Sequence, residues 1–432
     1  MVKAARVVGC LIGSVVVCAQ AAQGDELKRK NPTPQELVKF LSAVQSLETG
    51  LLESFPRSAD PTLKNVAFTY DVAMSALVFA RQGKLAASAN ALKTYRQMPL
   101  PAPDRASFNT AYQTQTGRPT LEYRLHGGPL YWTAIALMRY GQAASRPADV
   151  QRGVQLVEWV KDHFDHFSGG VVMGIQEPWS YLTSVENNWV YYAALRVAAA
   201  SLPEGPRRQA LEEERHRVRL WIERHVRQRG DSDATKALDV YTHALLVGPE
   251  AHLEDFPSDR AQLAVWAKAW VEEIETLFLV PDTARYDYTD ARGAAQAGRA
   301  RMGWLEGTEQ VVVAYLTWVP FFREMGDEAF ADQLLVRASL AHSEVLDYAV
   351  HYSFGWGIPN TDAAEPLPTF SDGWPARPRS EPALNGTNWA YLASVGYNPF
   401  TMRIPAPEPA HELPPMPLPR PSLMPLLASM RE

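Results

Sequence analysis

The chain has almost no cysteine, which excludes several kinds of site. Its 432 residues include two cysteines, Cys10 and Cys18, both near the amino terminus. The remainder therefore has no thiol nucleophile, no disulfide and no cysteine ligand for a metal. Four enzyme motifs are also missing: a Walker A loop, GxGxxG before a helix, GxSxG and HExxH. We expect no cofactor.

Excess positive charge and long apolar runs are missing too. The net charge is −6, which argues against nucleic acid or an anionic membrane as partner. The arginine-rich segment 206–228 also contains three adjacent glutamates, and its opposite charges pair at i,i+4 spacing. This pattern predicts the solvated face of an outer helix. After the amino-terminal region, no stretch is apolar over enough residues to span a membrane.

Residues 1–21 have the pattern of a secretory signal. Lys3 and Arg6 precede an apolar stretch, and Ala19-Gln20-Ala21 is a small-x-small cleavage site. An uncleaved anchor is the alternative, but the apolar stretch is short for a bilayer. Removal of two basic residues would move the net charge to about −8. We therefore expect a periplasmic or secreted protein that is not inserted in the membrane after cleavage.

Six segments share one layout, in which a polar or glycine-containing turn runs into a helix that is apolar nearly all round. Such helices are buried, and their recurrence indicates a repeated helical hairpin. We expect them to begin near residues 68, 129, 186, 236, 306 and 386.

Six amphipathic helices accompany the buried ones. They are predicted at 35–53, 85–97, 147–166, 206–228, 258–277 and 327–345. Six inner and six outer helices make an all-α (α/α)6 toroid, here over residues 22–403. An open solenoid of helix pairs is the alternative, but the irregular intervals and long loops fit it less well. The Pro-rich tail 404–432 has no helical periodicity.

Parallel inner helices would direct all six polar turns into one crater. Glu306 and Glu309, in Trp304-Leu305-Glu306-Gly307-Thr308-Glu309, are the strongest candidates for chemistry. The helix dipole stabilises a carboxylate at this position, whereas desolvation by the neighbouring indole raises its pKa. A capping box is the alternative, mainly for Glu309. Asp71 has a helix-cap alternative as well.

Other turns carry groups suited to sugar hydroxyls. Glu186 is followed by Asn187, Asn188 and Trp189, more polar groups than a cap needs. We expect a structural role for Asp239. We expect His126 to form hydrogen bonds and not to bind a metal, because no second histidine follows or precedes it at HxxxH or HxH spacing. Tryptophans are frequent in the rim loops and helix starts, where aromatic faces can stack on sugars; they are Trp132, Trp179, Trp189, Trp304, Trp356, Trp374 and Trp389.

The segments FTYDVAMSAL, HGGPLYWTAIAL, SVENNWVYYAAL and WLEGTEQVVVAY resemble the six-hairpin glycosidase-like superfamily, the (α/α)6 toroids of glucoamylases, family-8 endoglucanases and many bacterial exported enzymes. The resemblance covers residues 35 to 400. It looks closest to a poorly characterised exported branch with TYD, ENN and EGT turns.

The resemblance implies hydrolysis of a glycosidic bond in an oligo- or polysaccharide, most often with inversion by two carboxyl groups. Glu306 would be the acid and Asp71 or Glu186 the base. The expected substrate-binding residues are Tyr70, His126, Trp132, Trp179, Asn187, Asn188, Trp189, Trp304, Glu309, Trp356 and Asn388.

Two alternatives stay open. A non-catalytic glycan-binding or cell-envelope protein could have the same fold. A toroidal lyase or sugar epimerase would need a base such as His126, Tyr70 or Tyr241.

Overall fold

A computed structural model describes residues 31–101, 107–120, 125–167, 169–228, 236–256, 259–366 and 377–401. The predicted signal segment 1–21, the tail 404–432 and Trp374 lie outside the described residues. The described helices include none with both the length and the hydropathy to cross a bilayer.

The described residues form fifteen α-helices and three antiparallel pairs of short strands. The helices are α1 (Pro34–Ala43), α2 (Thr69–Arg81), α3 (Leu85–Ala91), α4 (Lys93–Gln97), α5 (Gly127–Ala143), α6 (Pro147–His163), α7 (Val185–Ala200), α8 (Pro206–Gln228), α9 (Leu238–Leu246), α10 (Gly248–Asp255), α11 (Arg260–Leu277), α12 (Ala291–Gln296), α13 (Leu305–Glu324), α14 (Glu328–Asp347) and α15 (Leu384–Ser394). The strands are β1 (Val66–Phe68), β2 (Ala111–Gln113), β3 (His166–Phe167), β4 (Gly170–Val171), β5 (Val350–Tyr352) and β6 (Gly355–Gly357), paired β1–β2, β3–β4 and β5–β6.

Six helices pack into a closed inner ring. Around it, α2 contacts α5, α5 contacts α7, α7 contacts α9, α9 contacts α13, α13 contacts α15, and α15 returns to α2. An open solenoid would leave the first and last helices apart, so the predicted (α/α)6 toroid is confirmed. Each inner helix begins within two residues of its predicted start.

The outer layer matches the prediction except at its first helix. As expected, α1 lies beside α15, the last inner helix. It ends at Ala43 instead of continuing to 53, and Leu47, whose spacing fits the apolar face of the predicted helix, is 96% exposed. Gly50 adopts a positive φ of 79°, and an added Cβ there would lie 2.0 Å from the Asn90 carbonyl oxygen. This close approach needs a turn rather than a helix.

Backbone contacts from the rim loops cap most of the inner helices. The N-cap residues of α2 and α13 are Phe68 and Trp304, and neither helix has a side-chain cap. The capping alternatives for Asp71 and Glu309 are therefore wrong. The first N–H group of five inner helices donates to a rim-loop carbonyl: Thr69 to Thr110, Gly127 to Met173, Leu238 to Tyr288, Leu305 to Asn360 and Leu384 to Ser54.

The opposite end of the ring is closed by residues 397–401. The Asn398 amide donates to the Leu246 carbonyl at 2.6 Å, and the Arg139 guanidinium donates to the Thr401 carbonyl. Phe400 stacks on Trp132 with ring centroids 4.9 Å apart. Aromatic side chains therefore close the carboxyl-terminal end of the inner ring and form the floor of the crater, which the polar turns surround at the amino-terminal ends of the helices.

Candidate active site

Glu306, on the first turn of α13, is buried and held by neighbouring helices. The Tyr70 hydroxyl donates to its Oε1 atom at 2.7 Å, and the Gln310 amide lies 3.5 Å from the same oxygen. The Trp389 indole N–H donates to the Tyr70 oxygen at 2.7 Å. Residues of α13, α2 and α15, consecutive in the ring, thus form one hydrogen-bonded wall.

This hydrogen-bond chain has one direction. An indole can only donate, and a tyrosine hydroxyl has a single hydrogen. Because Tyr70 accepts from Trp389, its hydrogen is directed to Glu306 Oε1. Glu306 Oε1 is therefore an acceptor in this chain, whether the carboxyl group is neutral or ionised.

The environment of Glu306 favours the neutral acid. Burial raises its pKa to about 8, and the negative charge of Asp71 acts in the same direction. Hydrogen bonds from Tyr70, Trp304 and Asn385 stabilise the ionised form and limit the rise in pKa. At pH 7 the carboxyl group of Glu306 is mainly protonated.

Asp71, on the first turn of α2, is a second buried acid on this wall. Burial raises its pKa to about 7, while a hydrogen bond with Ser54 lowers it. Its Oδ1 atom is buried and has no hydrogen-bond partner among the residues that the structure describes. The Asn388 amide does not reach this carboxyl group; it donates to the backbone carbonyl of Asp71 at 3.1 Å and to Ser75 Oγ at 3.0 Å. Asn388 therefore links α15 to α2.

Glu186 lies across the crater, on α7, three positions around the ring from α15. Its side chain is 20% exposed, and its Oε1 atom lies 4.0 Å from His243 Nδ1. His243 Nδ1 also contacts the Asp239 carbonyl oxygen at 2.7 Å. The Nδ1 hydrogen is thus directed to a backbone acceptor, and the Nε2 lone pair is left for another group.

His243 was missed by the sequence interpretation, which considered Asp239 in the same turn. Its ring centroid is 5.6 Å from that of Phe400 and 6.2 Å from that of Trp132, at the crater floor. Burial lowers its pKa to about 4, and no described residue forms a hydrogen bond with its Nε2 atom. The sequence offered one signal. His243 follows Asp239 by four residues, as Gln310 follows Glu306, and residues at this spacing lie on one face of a helix.

Two tryptophans complete the crater. Trp132 lies on the floor, edge-to-face with Tyr70 at 5.8 Å and with Trp389 at 6.0 Å. Trp304 lies against Gly307, where an added Cβ would be 2.0 Å from its ring. The glycine is needed for the indole to stay beside Glu306.

Several predicted substrate-binding residues have other contacts. Glu309 faces α14, and both its oxygens lie 2.9 Å from His342 Nδ1. Trp189 packs in the core, 5.7 Å from Phe256. Asn188 exchanges hydrogen bonds with the Val171 backbone at 2.9 and 3.0 Å. These three side chains make structural contacts instead of facing the crater. Their helices have two buried faces, and sequence alone does not separate the two faces.

Two further predicted residues also lie away from the Glu306 wall. Trp356, in the β5–β6 hairpin, packs against His351 at 4.6 Å. Tyr241, the alternative base, donates to Glu273 of outer helix α11 at 3.1 Å.

His126, Trp179 and Asn187 lie together at the rim between α5 and α7. The His126 and Trp179 rings meet edge-to-face at 5.3 Å. Asn187 lies on the first turn of α7. Its Oδ1 atom is buried and accepts no hydrogen bond from any described residue. Burial lowers the pKa of His126 to about 4, so its ring is neutral at pH 7.

The described residues contain no group of three or more histidine, cysteine, aspartate or glutamate side chains that could hold a metal ion. The polar groups of the crater are two buried acids, a partly exposed carboxylate, a neutral imidazole and amides. Such a set can donate a proton from one wall and accept one at the other.

Comparison with known proteins gives likenesses of structure rather than sequence. No protein-family model and no curated protein sequence matches the chain. A D-mannose isomerase structure matches with a TM-score of 0.58 and 12% identity, over 84% of this chain and 95% of that one. A sugar epimerase from a ruminal bacterium matches with a TM-score of 0.57 and 12% identity, over 84% and 96%.

A glycosidase variant in complex with glucose matches with a TM-score of 0.55 and 11% identity, over 84% of this chain and 95% of that one. At such identities a likeness concerns the fold, and it agrees with the closed ring of six inner helices. The chain has the (α/α)6 toroid fold.

Proposed function

We propose that this chain is a sugar-processing enzyme that hydrolyses a glycosidic bond, with its active site in the crater. The observation that carries the proposal is Glu306, a buried carboxyl group with a pKa raised to about 8. A non-catalytic glycan-binding protein has no need of a protonated acid beside a second buried acid. The glycosidase likeness supports the choice of reaction.

Glu306 would act as general acid and give up its carboxyl proton. The proton passes to the glycosidic oxygen as the bond from that oxygen to the anomeric carbon breaks. Tyr70 and Gln310, which contact Oε1, then stabilise the carboxylate that is left.

Glu186 is the better candidate for the base. Inversion needs a base that activates water on the opposite face of the sugar from the acid. Asp71 is buried on the same wall as Glu306, whereas Glu186 lies across the crater with a side chain that is 20% exposed. Glu186 would take a proton from water as the water oxygen bonds to the anomeric carbon. Asp71 would help to keep Glu306 protonated.

The test is release of reducing sugar from a panel of bacterial and plant glycans. We expect Glu306→Gln to lower turnover by a factor of about 10²–10⁴, because glutamine cannot give up a proton. Glu324→Gln, on an exposed side chain at the far end of α13, is the matched control. Undiminished hydrolysis by Glu306→Gln would place the acid elsewhere.

The base has its own test. Glu186→Ala leaves space in which azide can attack the anomeric carbon without a base. We expect azide to restore bond cleavage to Glu186→Ala and to form a glycosyl azide of inverted configuration. Rescue of Asp71→Ala instead would exchange the two roles.

Isomerisation or epimerisation of a free sugar is the second candidate function. It is favoured by His243, whose neutral ring has a buried Nε2 atom with no hydrogen-bond partner among the described residues, a suitable base for a proton next to a carbonyl. The D-mannose isomerase likeness is in line with this. Incubation of mannose, glucose and fructose with the protein in deuterium oxide would detect it as carbon-bound deuterium, lost in His243→Gln.

We also propose that the protein is exported. The basis is the basic, apolar and small-x-small pattern of residues 1–21. Amino-terminal sequencing of the periplasmic protein should begin at residue 22, and a start at Met1 would contradict export by cleavage.

A further inference from the structure

An apolar patch lies at the crater rim, on residues 175–182. Tyr181 is 58% exposed, and Ile175 and Leu182 are also exposed. Contiguous exposed apolar side chains on a soluble protein mark binding surfaces. The segment is held in place by hydrogen bonds from Gly174 N–H to the Trp179 carbonyl at 3.2 Å and from Met173 N–H to the Leu182 carbonyl at 2.7 Å. The patch is therefore presented on a closed turn.

The patch is continuous with the crater. Trp179, within the segment, meets the ring of His126 edge-to-face at 5.3 Å. His126 is the N-cap residue of inner helix α5 and pairs with Gly174. The Gln176 side chain accepts from Leu125 N–H at 3.1 Å. A ligand chain leaving the crater between α5 and α7 would pass directly over this segment.

An unsatisfied acceptor lies where the patch meets the crater. Asn187 is 4% exposed, and within the described part of the chain its Oδ1 atom has no hydrogen-bond partner. A Cβ atom added at Gly128 would lie 2.5 Å from this oxygen and 3.6 Å from His126 Nδ1. The absence of a side chain at position 128 therefore lets the Asn187 amide oxygen lie here, beside His126. A buried acceptor without a donor costs free energy, which a ligand hydroxyl would offset.

We infer that Trp179, Tyr181 and Asn187 form a glycan-binding subsite beyond the catalytic crater, so that the substrate is an oligo- or polysaccharide rather than a monosaccharide or a small glycoside. This inference rests on the proposed function in assigning the crater to a sugar. The aromatic rings stack on the apolar faces of sugar rings. The Asn187 oxygen accepts from a sugar hydroxyl.

Binding can be tested without catalysis. The probes are soluble starch, carboxymethylcellulose, xylan and laminarin in native affinity gels, with Glu306→Gln as the parent protein. We expect at least one polymer to retard the parent, and Trp179→Ala/Tyr181→Ala to weaken that binding about tenfold or more. Val265→Ala, at a 69% exposed position on outer helix α11, is the matched control and should bind like the parent.

Retardation by none of the four polymers, or equal retardation of the double variant, would overturn the subsite. A concentration-dependent dimer that the double variant abolishes, seen by sedimentation, would assign the patch to a second copy of the chain and also overturn it. Failure of hydrolysis with retained, Trp179-dependent retardation would instead contradict the proposed reaction alone.

Chain length gives a second measurement on active enzyme. Across a series from disaccharide to hexasaccharide of the polymer that binds, Asn187→Ala should raise KM about tenfold for the longer members. For the disaccharide its KM should be unchanged. An equal rise for every length would place Asn187 in the catalytic subsite and overturn the assignment.

Discussion

Two faces of helix α13 place buried carboxyl groups one turn apart in very different surroundings. Glu309 meets His342 of the outer layer, and His342 Nε2 in turn lies 3.1 Å from Ser394 Oγ. Glu306 meets neutral donors and a second acid. Burial raises the pKa of both, but His342 opposes the rise at Glu309, whereas Asp71 adds to it at Glu306.

The comparison shows why burial alone does not identify a functional acid. A carboxylate facing an imidazole gains a structural link between helices, and its proton has a nearby competitor. A carboxyl group facing neutral donors and another acid keeps its proton near neutral pH. The partner of the buried group, rather than its burial, separates Glu306 from Glu309.

The largest effect should come from replacing each of the two glutamates by glutamine, in separate variants. Glu306→Gln should lose turnover by about 10²–10⁴ while melting near the wild-type temperature. Glu309→Gln should lose about 1–3 kcal/mol of stability, because the buried His342 loses one of the two carboxylate oxygens that lie 2.9 Å from its Nδ1 atom, and its folded fraction should keep the wild-type kcat. Thermal melts and kcat measured well below the melting temperature check both, and equal loss of turnover would remove the distinction between the faces.

The glycine between the two acids gives the next largest effect. Gly307→Ala places a Cβ 2.0 Å from the Trp304 ring, so the indole must move away from Glu306. We expect a loss of about 1–3 kcal/mol in the free energy of unfolding, together with reduced turnover. In Trp304→Ala/Gly307→Ala the clash is absent, so the alanine at 307 should cost much less there. Additive effects of the two changes on chemical denaturation would contradict this packing.

Tyr70→Phe tests the donor to Glu306 Oε1. Tyr70 stabilises the ionised form, so its removal should raise the pKa of Glu306 and shift the alkaline limb of kcat/KM to higher pH. Turnover should fall about tenfold, since the carboxylate left after proton transfer loses a hydrogen bond. Tyr391→Phe, which removes a hydroxyl bonded to Gln82 at 2.7 Å, is the control. An unshifted alkaline limb would contradict the role of Tyr70.

The pH dependence of stability is the smallest effect. The pKa of Glu306 rises from 4.5 in the unfolded chain to about 8 in the fold, and that of Asp71 rises from 3.8 to about 7. Between these values the folded state binds more protons, so the contribution of these two groups to stability is complete below their unfolded pKa values and is lost as pH rises toward 8. Melting temperatures from about pH 5 to pH 8 should fall less steeply in Glu306→Gln than in Glu324→Gln. Equal slopes would mean that Glu306 is ionised in the fold.

Sequence reasoning located the elements well because hydrophobic periodicity is a local property. Helices such as α7 and α13 are apolar on all sides, so their existence and starts could be read within a few residues. The failure at α1 had a tertiary cause. Leu47 continued the helical spacing, but the backbone at Gly50 packs against Asn90 of a neighbouring outer segment, which no local pattern reveals.

The sequence by itself determined the number of helical hairpins, the turns that meet in the crater and the candidacy of Glu306, because these follow from residue type and spacing along one helix. Tertiary structure decided which polar group of each turn faces the crater. Glu306 and Glu309 differ by one helical turn, and Asn187 and Asn188 by one residue, yet their partners come from elements far apart in the chain. The pKa of an acid depends on burial and neighbouring charges in three dimensions, so the protonated state of Glu306 became visible only in the folded ring.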